Sequence, residues 1–190
     1  MAFFKKLPLH IDVNPLRAAL KKNADLFGEI DWRRREGSPH TEMRDIWLRY
    51  NDIKPYEKTG DFTNFNEEHD PIWYNSYKRL PEAKDIIFKV MNKVYGERLG
   101  MVLITKLPVG GKIYPHIDQG WHASYYDKYY IPITNKPGAS FFFENGVIES
   151  PKEGSVWWFD NSHPHWVNND SASERIAMIV CIKTENKVGV

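Results

Sequence analysis

Two segments of this chain carry side chains able to hold a metal ion. In Tyr114-Pro115-His116-Ile117-Asp118 an imidazole and a carboxylate stand two positions apart, and on a strand such residues point to one face, within reach of one ion. The spacing alone is weak, because seven His and twelve Asp in 190 residues give roughly 0.4 His-x-Asp matches by composition. A second copy, His10-Ile11-Asp12, sits just before the helix-start signal Asn14-Pro15, where Asp12 serves a turn or the electrostatics of the first helix. Context separates the two copies. His116 and Asp118 come after the turn Leu107-Pro108-Val109-Gly110-Gly111-Lys112-Ile113, and downstream Phe159-Asp160-Asn161-Ser162-His163-Pro164-His165 makes a third ligand available.

Two His and one carboxylate on one face of a metal leave three coordination positions open, the ligand set of non-heme Fe(II) oxygenases. Cys181 is the single cysteine, so neither an internal disulfide nor a Cys-based zinc cluster can form, and a reducing compartment suits the chain. Ten residues after His165, Arg175 opens the run Arg175-Ile176-Ala177-Met178-Ile179-Val180-Cys181. As a strand this run puts Arg175 on one face with Ala177, Ile179 and Cys181. A cation on such a surface needs an anion.

These groups must be positioned by the C-terminal half. From residue 100 onward the chain reads as short β-rich runs at 101–107, 112–118, 126–133, 139–144, 155–159 and 175–183, punctuated by Gly, Pro and Asn. Their spacing predicts a sandwich or barrel. Residues 45–50 are a further strand ending at the turn signal Asn51-Asp52. Asn14-Pro15 reads as N-cap and first helical position of a helix over 15–27, before Gly28. A second helix starts at Pro81, buries Ala83, Ile86, Ile87, Val90, Met91 and Val94 as one stripe, and meets Gly96 at its end. Arg33-Arg34-Arg35 reads as a solvated loop, and His40 and His69 as surface or capping residues.

Size and composition bound what surrounds the site. With 190 residues, 42% hydrophobic and 27% charged, one domain over 1–190 is expected: helical support in 1–99 and a β core in 100–184. A formal net charge of +1 disfavours a generic nucleic-acid coat. No stretch approaches the ~18 apolar residues of a membrane span, and the first apolar run is too short for a signal peptide, so a cytoplasmic protein is expected.

Taken in order, these motifs resemble the aspartyl/asparaginyl β-hydroxylase-like branch of Fe(II)/2-oxoglutarate-dependent oxygenases. The resemblance covers about residues 100–184: the turn at Pro108 to Gly110, Ile-x-Pro-His-x-Asp at Ile113 to Asp118, Pro132-Ile133-Thr134-Asn135, Phe-Asp-Asn-Ser-x-x-His ending at His165, and Arg175. It implies a mostly β fold, a double-stranded β-helix or jelly-roll barrel backed by helices. His116, Asp118 and His165 would bind Fe(II), with His163 the competing third ligand. Arg175 would bind the distal carboxylate of 2-oxoglutarate, and O2 would complete the reactants of a hydroxylase.

One segment departs from the family pattern. Many members carry Arg-x-His before the Pro-x-x-Thr-Asn-like segment, contacting 2-oxoglutarate, where this chain has Lys128-Tyr129-Tyr130. Lys128 keeps the charge but loses the planar fork, and Tyr130 retains one donor. Outside the matched part, Trp47 and Arg49 share one side of the 45–50 strand, suited to gripping substrate, with core and surface roles as the alternative. Trp121 falls in a segment expected near the mouth as lid or aromatic packing, and Ser162 and Asn168 are placed to support a loop bearing His165. The family's precedents include Asp or Asn side chains of polypeptides and free amino acids such as proline. A cupin-like metal enzyme that does not use 2-oxoglutarate, and a non-catalytic binding domain, are the competing readings.

Overall fold

Two runs, Arg98–Leu107 and Arg175–Lys183, have apolar centres, Met101–Ile104 and Ile176–Ile182, as strands covered on both faces must, and they pair antiparallel at the centre of the fold. The computed structural model describes residues 3–185. In chain order the elements are β1 (Phe4–His10), α1 (Asn14–Lys22), β2 (Arg44–Tyr50), α2 (Lys54–Thr59), β3 (Ile72–Trp73), α3 (Asn75–Arg79), α4 (Ala83–Lys93) and β4 (Arg98–Leu107). They continue with β5 (Lys112–His116), α5 (Trp121–Tyr125), β6 (Asp127–Thr134), β7 (Ala139–Phe143), β8 (Gly146–Ile148), β9 (Ser155–Phe159), β10 (His165–Asn169) and β11 (Arg175–Lys183). Seven strands form one sheet in the order β1-β9-β6-β11-β4-β2-β3, and four form a second in the order β5-β10-β7-β8.

This is the mostly β, jelly-roll architecture expected, with α1 and α4 on the outer face of the large sheet. Side chains alternate across the large sheet. Tyr129, Ile131, Met178 and Val180 face outward into the core with Leu16, Leu20, Ile86 and Val90 of α1 and α4. Tyr130 and Ala177 face inward and pack with Phe141, Phe143 and Val167 of the small sheet. The site lies on that inner side.

Several elements differ from expectation. Strands β1, β3, β8 and β10 carry no clean alternation in sequence and form because sheet partners await them; β1 lies along β9, and β10 is sandwiched between β5 and β7. The first 99 residues therefore contribute three strands to the large sheet as well as helices. The first helix stops at Lys22, with a separate 3-10 turn at Ala24–Leu26, because Asn23 folds back and its Nδ2 donates to the Ala19 carbonyl (2.9 Å). Val13 rather than Asn14 is its N-cap, and Asp12 Oδ1 accepts from the Asn14 backbone N–H (3.0 Å), which explains the decoy motif as a turn. At the end of α4 the left-handed residue is Tyr95 (φ 52°). Gly96 is needed for proximity, since a Cβ there would lie 2.4 Å from Ile182 Cγ2.

Candidate metal centre

Strand register builds the site. His116 closes β5 and His165 opens β10, and the two are direct cross-strand partners with ring centroids 4.4 Å apart. The turn that starts β5 needs Gly110 at φ 73°, and its N–H donates to the Asn169 carbonyl (2.8 Å). Asn169 Nδ2 in turn donates to the carbonyls of Leu107, Pro108 and Ser173, tying β10 to the ends flanking it. Asp118 lies two residues beyond β5, so its convergence on the imidazoles does not come from strand alternation. Its backbone N–H donates to the Asn161 carbonyl (3.1 Å), and Asn161 Nδ2 donates to that of Ala123 (3.1 Å).

Each imidazole is oriented by its own backbone. His116 Nδ1 is 2.7 Å from the Tyr114 carbonyl and His165 Nδ1 is 2.9 Å from that of His163, which places the protons on Nδ1 and leaves both Nε2 atoms as ligands. Those Nε2 atoms lie 3.6 Å from Asp118 Oδ1 and Oδ2 respectively, and one ligand atom from each of the three residues falls within 4.8 Å of the others. Burial lowers both His pKa values, that of His165 to about 4, so the rings are neutral at physiological pH. Burial pushes the Asp118 carboxyl up, but Lys128 and the two imidazoles outweigh it and hold it well below the usual carboxylate range. All three groups are thus already in the protonation state that metal ligation requires. The donor set fits an iron(II) ion.

The cavity beside this triad reaches inward to Arg175, which is 3% exposed. As the sequence indicates, Arg175 shares its face of β11 with Ala177 and Ile179, which pack in the inner core. Its guanidinium lies 5.0 Å from the Tyr130 ring, its Nε is buried without a partner, and among the described residues no carboxylate pairs with it. Lys128 also lines the cavity, but its ammonium forms an ion pair with Asp118. Tyr130 is fully buried behind Arg175 and is not on the cavity wall.

His163 is not part of the triad: it stacks on Phe3 (3.7 Å) and its Nδ1 lies 3.1 Å from Asp160 Oδ2. His165 sits on a strand rather than a loop. Ser162 bonds Asp160, and Asn168 is a strand residue of β10, so the connecting support comes from Asn161 and Asn169 instead. Trp47 and Arg49 do not face the cavity. A β-bulge between them breaks the alternation, Trp47 is buried among Tyr50, Phe65 and Leu103, and Arg49 lies over Trp73 (5.1 Å). Trp121 stacks on Tyr125 (4.8 Å) in α5 and lines neither cavity at the triad.

The wall opposite comes from residues whose sequence suggests a solvated loop. Arg33 pairs with buried Asp45 (2.9 Å), donates toward His40 Nε2 (3.0 Å) and lines the cavity. His40 stands edge-on to His116, 4.7 Å between ring centroids, and burial lowers its pKa well below the ordinary value. Nothing in their spacing signals this, because the contacts are made only when the 24–43 segment folds over the sheets.

A family model described as aspartyl/asparaginyl beta-hydroxylase matches residues 40–184. No curated protein matches the chain in sequence. Among solved structures, the viral collagen prolyl hydroxylase vCPH from Paramecium Bursaria Chlorella virus-1, in a 2-oxoglutarate complex, is similar in fold. It is 11% identical with a TM-score of 0.56, over 96% of this chain and 97% of that one. A Pseudomonas putida prolyl-4-hydroxylase is 13% identical with a TM-score of 0.53, over 97% of this chain and 94% of that one. HygX from Streptomyces hygroscopicus, with nickel, 2-oxoglutarate and hygromycin B bound, is 12% identical with a TM-score of 0.54, over 96% of this chain and 83% of that one.

Proposed function

The chain belongs to the aspartyl/asparaginyl β-hydroxylase family of iron(II)- and 2-oxoglutarate-dependent hydroxylases, and from that premise we propose that His116, Asp118 and His165 hold the iron and Arg175 anchors 2-oxoglutarate. The observation that carries the reading is one cavity holding both a preset His-Asp-His group and, deeper, a buried guanidinium with no carboxylate partner among the described residues. Bound there, iron(II) supplies O2 activation that couples decarboxylation of 2-oxoglutarate, giving succinate and CO2, to replacement of a substrate C–H by C–OH.

The protein's residues bind, orient and shield. The two neutral imidazoles and the Asp118 carboxylate offer one negative charge to a divalent ion and leave one side of it open. Arg175 offers a planar fork to the distal carboxylate, in a site where burial strengthens the pair and fixes its direction. Apolar walls from Leu103, Phe141, Phe159 and Val167 exclude water from the reacting centre. Lys128 acts through Asp118, keeping it ionised, and Tyr130 supports Arg175 from behind. In this reading neither substitutes directly for the family's Arg-x-His contacts. The substrate is an amino-acid unit, free or within a polypeptide, bound by a single domain.

Anaerobic titration of the iron-free protein with Fe(II) and 2-oxoglutarate tests this. The visible charge-transfer band of the chelate is expected in the wild type. Iron binding without the band, in folded protein, would return the site to a cupin-like metal enzyme that does not use 2-oxoglutarate.

A further inference from the structure

Next to the triad lies a second cavity of about 250 Å³, which shares His116, Asp118 and Lys128 with the first. Two residues on its wall, Tyr50 and His122, are only 7% and 4% exposed, and each carries a polar atom without a partner. The bulge that turns Arg49 toward Trp73 leaves Tyr50, the last residue of β2, on this wall. Its hydroxyl makes no hydrogen bond among the described residues and is open to the cavity rather than enclosed. Burial pushes the phenol pKa up, so it stays a neutral donor. His122 is carried by α5 and seated on β4: its Nε2 lies 3.1 Å from the Met101 backbone nitrogen. Gly100 makes room for the ring, since a Cβ there would lie 3.0 Å from that Nε2.

That contact fixes the tautomer of His122. A backbone N–H only donates, so Nε2 accepts, and the proton of the neutral ring sits on Nδ1. Burial keeps the ring neutral by holding its pKa well below the ordinary value. Nδ1–H has no acceptor among the described residues and, like the Tyr50 hydroxyl, is not sealed from the cavity. The two rings meet edge to face with centroids 5.4 Å apart, so two neutral donors stand side by side. The charged groups near enough to act on them are already matched, Lys128 by Asp118 and Arg33 by Asp45. An ion is therefore not called for, whereas an oxygen with two lone pairs can take both donors. We propose that Tyr50 and His122 together hydrogen-bond an uncharged carbonyl oxygen of the substrate and so set which part of it faces the metal centre. An analogue without that oxygen would leave both donors buried and unpaired, which is how such a site rejects it. This inference rests on reading the triad as the iron site and adds the residues that orient the substrate there.

The experiment is NMR of the iron-free protein with isotope-labelled histidine, titrated with cyclopentanone and with methylenecyclopentane, which share a shape and differ in the carbonyl oxygen. The His122 ring proton is expected on Nδ1, and its resonance is expected to move with the ketone and not with the alkene. The ketone is expected to bind at least about tenfold more tightly. Tyr50→Phe removes an oxygen that has no partner among the described residues, so it is expected to keep the thermal melt and lose most of that preference. If Tyr50→Phe does not fold, the His122 resonance of the wild type carries the test. A ring proton on Nε2, equal binding of the two probes, binding of neither, or a preference that survives Tyr50→Phe would overturn the proposal. So would acetate displacing the ketone at lower concentration than acetamide does, since the site would then take an ion. With no metal present these outcomes judge the donor pair alone, and absence of the charge-transfer band in the Fe(II) titration would instead count against the iron site.

Discussion

The cavity has two walls made in different ways. The inner wall is strand-built: His116 and His165 face each other by β5–β10 register, and Arg175 is held on the central strand β11. The outer wall is the 24–43 segment, which has only two 3-10 turns and is tied down by a few polar contacts: Arg33 to Asp45, the Gly28 N–H to the Asp45 carbonyl (2.9 Å) and the Tyr114 N–H to the Pro39 carbonyl (2.9 Å). Register fixes positions to a fraction of a residue, because a slip by one turns every side chain to the other face. A loop pinned by a few polar contacts can vary without disturbing that frame. His116, His165 and Arg175 therefore sit on strands, Asp118 lies just past one, and the opposite side of the cavity is loop.

The largest expected effect breaks the inner wall. His165→Ala removes one of three ligands and is expected to abolish the charge-transfer band while the protein stays folded, checked by spectroscopy beside a thermal melt. A retained band would transfer the ligand role to another residue, His163 first.

Next comes the proton balance of the same wall. Burial takes His165 from 6.5 to about 4 in the folded iron-free protein, so the unfolded chain binds a proton that the folded one refuses between those values. Stability is therefore fully present above pH 6.5 and falls as pH drops toward 4, by roughly 3 kcal/mol from this group. His116, His40 and His122 are shifted in the same direction by burial and add to the loss. Denaturant midpoints of iron-free protein at pH 7.5 and pH 4.5 measure the sum, and His165→Ala is expected to reduce it. A flat profile would mean that these rings are hydrated and the inner wall is looser than described.

Two smaller changes set the walls against each other. Arg175→Ala removes charge-assisted bonds of about 1.5–3 kcal/mol, so 2-oxoglutarate demand is expected to rise roughly 10- to 150-fold with iron binding unchanged. Asp45→Asn unpins Arg33 and is expected to lower stability by about 1.5 kcal/mol, because burial already penalises the Asp45 charge that is removed. Iron and 2-oxoglutarate binding should be untouched. Titration of the band for the first and a denaturant midpoint for the second separate the two walls.

Legibility in the sequence divides along the same line. His116 and Arg175 could be picked out because strand and turn signals surround them, Asp118 and His165 because their motifs in order resemble those of the family, and α4 because its apolar stripe is continuous. Arg33 and His40 could not, because a polar run in a loop looks the same whether it faces water or a cavity. Trp47 and Arg49 misled for the opposite reason: alternation along 45–50 is real until the bulge, where one extra residue against Leu103 and Val102 redirects the rest of β2. Asp118 reached the right place by a route the pattern did not contain, through the Asn161 carbonyl rather than strand alternation.

The smallest expected effect tests that bulge. If β2 ran without it, Arg49 would keep the company of Trp47, and its removal would affect substrate handling. In the structure Arg49 donates to the Leu99 carbonyl (3.3 Å) and lies over Trp73, at the far edge of the large sheet. Those contacts are worth about 1 kcal/mol or less. Arg49→Gln is accordingly expected to move the denaturant midpoint slightly and leave the Fe(II)–2-oxoglutarate charge-transfer band unchanged. A weakened band in Arg49→Gln would extend the outer wall from the loop onto β2.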